Sequence, residues 1–123
     1  MSNSLDSIKQ IVEKDGFFET ILNGVSDWDN ALDERDEPEF DEAWVSAFEE
    51  VKALDYPVCG SEVIVSEIRE LVFKKVFSLV SNSEVAGYIS DDFGLIAESA
   101  SKFHSVDFIS KLLASYVSGC FPR

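Results

Sequence analysis

Basic side chains are scarce in this chain. Ten lysines and arginines stand against 24 aspartates and glutamates, for a formal net charge of −14. At a pI of about 4.2, binding to DNA, RNA or an anionic membrane would start from repulsion at every phosphate. A basic protein is the natural partner. Histidine is nearly absent. His104 is the only one, with no second histidine or cysteine at metal-ligand spacing, so it reads as a surface or partly packed side chain. The two cysteines, Cys59 and Cys120, read as buried free thiols of a cytosolic chain. Cys59 has no basic sequence neighbours to activate it as a nucleophile. No apolar run approaches the roughly 20 residues that span a bilayer. The opening MSNSLDSIKQ lacks a basic region followed by an apolar core, so no signal peptide is expected and a cytoplasmic location is. There is no Gly-rich phosphate loop, no G-x-S-x-G elbow and no H-E-x-x-H. An EF-hand reading from Asp27 fails at Ala31, Leu32 and Pro38, which stand where a ligand, the turn glycine and the bidentate glutamate belong. These absences disfavour an enzyme, and no catalytic residue, cofactor or metal is expected.

What is present is apolar and periodic. A hydrophobic content of 46% with ten phenylalanines in 123 residues predicts one globular domain that buries roughly two-thirds of its unfolded surface. Residues 4–14 read as a helix capped by Ser4, with Leu5, Ile8, Ile11 and Val12 on one face. Asp15-Gly16 breaks it. Phe17, Phe18, Ile21 and Leu22 make a second, with Asn23-Gly24 as a left-handed stop. Phe40, Trp44, Ala47, Phe48, Val51 and Leu54 recur at i, i+4, i+7, i+8, i+11 and i+14, a helical stripe that Tyr56-Pro57 ends. Ser61 caps the longest helix, about 62–80, whose wide apolar face predicts a central position. Ser83 and Ser90 each cap a short helix, and Ser105 begins the last, which Gly119 ends. The predicted fold is all-α: a compact single-domain bundle of six or seven helices over 1–123, with a central long helix at about 62–80.

The acids are unevenly placed. Asp27–Glu42, DWDNALDERDEPEFDE, holds nine carboxylates: Asp27, Asp29, Asp33, Glu34, Asp36, Glu37, Glu39, Asp41 and Glu42. Arg35 is its only base, so the stretch is net −8 (nine minus one). The first half, Ser26 to about Asp36, shows no sustained period and is expected to be a loop. Asp36 reads as an N-cap, with Pro38 in the first turn and Glu39 completing a capping box. A solvated loop that keeps the protein soluble is one reading of the stretch. A surface shaped for a basic partner is the other. Trp28, Phe40 and Trp44 favour it, because inert acidic tails are poor in aromatics. Asp91 and Asp92 read as first-turn acids of the helix capped by Ser90, and are the second place to seek an interface.

The segment Glu84–Ala97, EVAGYISDDFGLIA, with its core Ser90–Ile96 and a preceding helix like Glu62–Val80, resembles small acidic immunity proteins of bacterial toxin systems, nearest those of contact-dependent growth inhibition. The resemblance implies a protein that binds and neutralises one cognate toxin, and it carries over no binding residues. Composition agrees, since a small acidic globule suits the inhibitor of a basic nuclease, RNase or DNase, whose active or substrate-binding surface it covers. The expected partner is thus a basic toxin, with no nucleic acid and no membrane, met by a monomer. Two alternatives remain open: a nucleic-acid mimic that inhibits a DNA-binding protein, and a chaperone or adaptor of a secreted effector.

Overall fold

The computed structural model describes residues 4–123, so Met1–Asn3, part of the opening read for a leader, lie outside the described residues. The described residues form seven helices and no strand: α1 (Leu5–Glu13), α2 (Phe17–Asn23), α3 (Trp28–Arg35), α4 (Pro38–Lys52), α5 (Ser61–Val80), α6 (Ser83–Ser101) and α7 (Asp107–Val117). The all-α single-domain bundle expected from the apolar stripes is the fold observed.

Its two long helices pack along each other. α5 also meets α1 and α2, while α6 meets α1, α4 and α7. α6 is the more enclosed, with both its apolar stripe and several polar positions buried. Val65, Ile68, Val72 and Val76 carry the inward face of α5. Leu79, expected on the main stripe, and Phe73 and Phe77, expected to widen it, are exposed. At the centre Phe93 of α6 meets Phe18 of α2 at 5.8 Å and Tyr116 of α7 at 4.8 Å between ring centroids.

Several boundaries differ from expectation, each for a local reason. The segment expected as a loop is α3. Asp27 caps it by accepting the Asn30 N–H at 3.1 Å, and the Asn30 side chain donates to Glu34 at 2.9 Å, one turn on. Trp28, Ala31, Leu32 and Arg35 form its inward stripe at i, i+3, i+4 and i+7. That stripe is hidden in the sequence because its last member is charged. Asp36 therefore closes α3 instead of capping α4, and Glu37 takes the cap position without a side-chain bond. Gly60, at φ 88°, precedes α5, so Ser61 lies inside the helix. Gly24 ends α2 in right-handed geometry, not left-handed. α7 starts at Asp107, two residues after Ser105.

The two short helices expected after Ser81 are one helix, α6. Asn82 caps it with bonds from the N–H groups of Glu84 and Val85 at 3.0 and 3.2 Å. Ser90, expected as a second cap, instead donates to the Gly87 carbonyl within the helix at 3.1 Å. Both cysteines are free thiols, as expected, but exposed rather than buried.

Candidate partner-binding surface

All nine carboxylates of Asp27–Glu42 are exposed, carried by α3 and the start of α4. Three have structural duties. Asp27 caps α3. Glu34 accepts from Asn30 and lies 3.3 Å from Arg123. Asp36 accepts the Tyr88 hydroxyl at 2.6 Å. Pro38 at the first position of α4 costs no hydrogen bond, and Glu39 and Asp41 in that first turn face the positive end of the helix dipole.

Arg35, the single base of the stretch, points the other way. It is buried and grips Asp92 with both terminal nitrogens, Nη1 to Oδ2 at 2.9 Å and Nη2 to Oδ1 at 2.7 Å. Trp44 donates its indole N–H to Oδ1 at 2.9 Å, and Tyr116 its hydroxyl to Oδ2 at 2.5 Å. Asp92 therefore accepts four bonds, the capacity of a carboxylate. Burial works against the Arg35 charge, but the charge and hydrogen bonds of Asp92 outweigh it and raise its pKa. The rings of Phe40, Phe121 and Tyr88 surround the guanidinium at 4.5, 5.0 and 5.3 Å, a cation–π setting suited to a desolvated cation.

Asp92 must therefore be withdrawn from the expected interface. It sits mid-helix, fully buried, with every acceptor site taken. Asp91, one residue away and turned by the helical period, is exposed and pairs with Arg69 at 2.7 Å. Arg69 reaches it across Gly94, where an added Cβ would lie 2.5 Å from the arginine Cδ. Neither acid is a first-turn residue, because α6 begins at Ser83.

Two concavities adjoin the acidic segment and share Trp44 and Asp91 as their partition. The larger, about 450 Å³, runs between α4, α5 and α6 and is lined by Trp44, Phe48, Tyr56, Val65 and Leu95 with Glu62 and Glu98. The smaller, about 210 Å³, has Phe40, Trp44, Val45 and Tyr88 as walls and Asp41 and Asp91 beside them, over the buried Arg35–Asp92 pair. His104, half-buried, pairs with Glu50 at 2.5 Å and lines neither. Among the described residues no three histidine, cysteine or acidic side chains converge as metal ligands, and no helix is long and apolar enough to cross a membrane.

The family model of immunity protein PIM1 matches residues 7–123, nearly the whole chain. The chain belongs to the PIM1 immunity protein family. Membership implies a toxin as partner and suggests a non-catalytic inhibitor. A comparison with curated proteins finds no match. For a PIM1-family chain the exposed carboxylates and adjoining concavities are the features to weigh as interface, while the Arg35–Asp92 cluster serves the fold that presents them. Sequence reasoning missed Arg35, Trp44, Tyr88 and Tyr116 as members of one arrangement. A signal was available. Arg35 ends the stripe Trp28/Ala31/Leu32, and Asp92 falls in step with Val85, Ile89 and Ile96. Two opposite charges, each on an inward stripe, mark a buried pair.

The cluster also sets a pH response. All three phenols of the chain are held above their ordinary value of 10. Tyr116 stands well above it through burial and the adjacent Asp92 charge. Tyr88 is pushed up to about 12, chiefly by its hydrogen bond to Asp36. Tyr56 is raised by burial and then by Glu98 and Glu62. A phenol with a raised folded pKa keeps its proton where the unfolded chain has lost it. Its contribution is thus fully present below pH 10 and declines as pH climbs above it. Tyrosinate absorbance at 295 nm should therefore stay low at pH 10, where free tyrosine is half ionised, and rise with unfolding. Half-ionisation of all three tyrosines at pH 10 in the folded protein would refute the buried Tyr116–Asp92 bond and the Tyr88–Asp36 bond.

Proposed function

We propose that this PIM1-family protein neutralises a basic nuclease toxin, an RNase or DNase delivered by contact-dependent growth inhibition, by laying the Asp27–Glu42 face over the toxin's active or substrate-binding surface. It acts as a cytoplasmic monomer, by binding and without catalysis. The observation that carries this reading is the outward array of nine carboxylates whose only local base is drawn inside to Asp92. Outward carboxylates can take the places of substrate phosphates, and opposite fields accelerate encounter. Asp91 extends the face along α6. The family match favours a toxin over the alternatives of a DNA-binding protein or a secreted effector.

Capture of the product of the neighbouring gene provides the partner for the test. The association rate should fall steeply with salt, as the Debye length shrinks from about 10 Å at 0.1 M to about 3 Å at 1 M. Asp33→Lys with Glu42→Lys reverses two exposed acids that make no side-chain bond. The double variant should associate about tenfold or more slowly at low salt and protect cells poorly, with thermal stability unchanged or slightly raised. Full protection and an unchanged rate in the folded variant would return the stretch to the role of a solubility surface.

A further inference from the structure

We infer that the smaller concavity is a socket for one basic side chain, an arginine in particular, projecting from the toxin. The inference rests on the proposed acidic interface and adds a specific anchor to it. Its walls are the aromatic and aliphatic side chains of Phe40, Trp44, Val45 and Tyr88, and its volume of about 210 Å³ suits a single long side chain rather than a peptide segment. Asp41 and Asp91 share that lining, and both are exposed. The buried Arg35 beneath contributes little net charge, because Asp92 matches it in a bidentate pair. Asp91 is bound only by the exposed ion pair with Arg69, and such pairs are weak and exchangeable.

Charge complementarity decides the occupant. The socket continues directly into the nine-carboxylate face, so the partner that face attracts brings cations to it. An apolar side chain would fill the walls but leave Asp41 partly desolvated without a partner and Asp91 with only its exposed pair to Arg69, which is costly. An arginine satisfies both parts of the site. Its methylene stem lies along Val45 and Trp44, and its planar guanidinium stacks on aromatic rings and donates in a fork to carboxylates. Half-buried Trp44 is rigidly held by its bond to Asp92. An aromatic wall that is already ordered loses little freedom on binding, which is a property of interface anchors.

The test uses N-acetyl-arginine amide as probe and its uncharged citrulline counterpart as control, read by two-dimensional NMR of the ¹⁵N-labelled protein. The chain's two tryptophans serve as site and reference. Trp44 lines the socket, whereas Trp28 packs edge-on against Phe121 at 5.1 Å. The arginine probe should shift the Trp44 indole N–H saturably, in the low millimolar range expected of so small a ligand, and leave Trp28 in place. Asp41→Asn should weaken the effect several-fold. Val45→Arg, which plants a guanidinium at the mouth, should abolish it. Equal shifts with the citrulline amide, or no saturable shift at Trp44, would overturn the inference. Neither result bears on the acidic-face reading, which stands or falls on toxin binding by the Asp33→Lys, Glu42→Lys variant.

Discussion

Replacing Asp92 with alanine should lower the free energy of unfolding by about 3–5 kcal/mol, the range for removing one partner of a buried ion pair. Arg35 is buried at 4% exposure, its guanidinium ringed by Phe40, Phe121 and Tyr88. Its charge would stay buried and unmatched, and the indole N–H of Trp44 and hydroxyl of Tyr116 would lose their acceptor as well. The companion variant, Arg35→Met with Asp92→Leu, removes both charges. It should recover part of the loss, and only part, because Trp44 and Tyr116 would still lack an acceptor, at about 1–3 kcal/mol for each buried group left unsatisfied. Urea titrations with unchanged m-values give both numbers. A cost below about 1 kcal/mol for Asp92→Ala would place it among ordinary surface changes and show that the cluster is not formed.

Phe93→Ala is the second large effect, about 3–5 kcal/mol. Phe93 is fully buried, and its ring meets those of Phe17, Phe18 and Tyr116. Those neighbours sit on two different helices, α2 and α7, and cannot all close on the void, so the cavity term adds to the lost transfer energy. Phe48→Ala makes the comparison. Phe48 is only half-buried, stacked on Trp44 at 5.6 Å and covered by the Lys52 ammonium at 5.4 Å. It should cost about half as much or less, since the stabilisation follows the apolar area removed from water. Equal losses at the two positions would mean that the Trp44/Phe48 face lies deeper than the structure places it.

The apolar helices could be read from sequence because burial repeats with the helical turn. Ser4 and the Phe40–Val51 stripe behave as their spacing implies, and the run from Ser61 to Val80 is one long helix, though Ser61 lies inside it and Phe73, Phe77 and Leu79 stay exposed. The two failures that changed whole elements share one physical cause. At α3 and in the middle of α6 a charged residue occupies an inward position, and a charge ordinarily signals solvent. Arg35 made a helix read as a loop, and Asp92 made one helix read as two. Each residue is paid for by a partner 57 positions away in the chain, and no local pattern carries that distance. The outward acids were legible as a concentration of charge. The concavity beside them was not, because it depends on how α4 leans over α6.

The Arg35–Asp92 pair has a consequence for how such a protein can diversify. It works as a dowel that fixes the rotation of α3 about its axis, and so decides which side chains of that helix face outward. Beyond it, six of the nine acids, Asp29, Asp33, Glu37, Glu39, Asp41 and Glu42, form no side-chain hydrogen bond or ion pair among the described residues (nine less Asp27, Glu34 and Asp36). The scaffold is pinned from within while the surface lettering is left free. If that face meets the toxin as proposed, a lineage can rewrite those positions one substitution at a time without renegotiating the core.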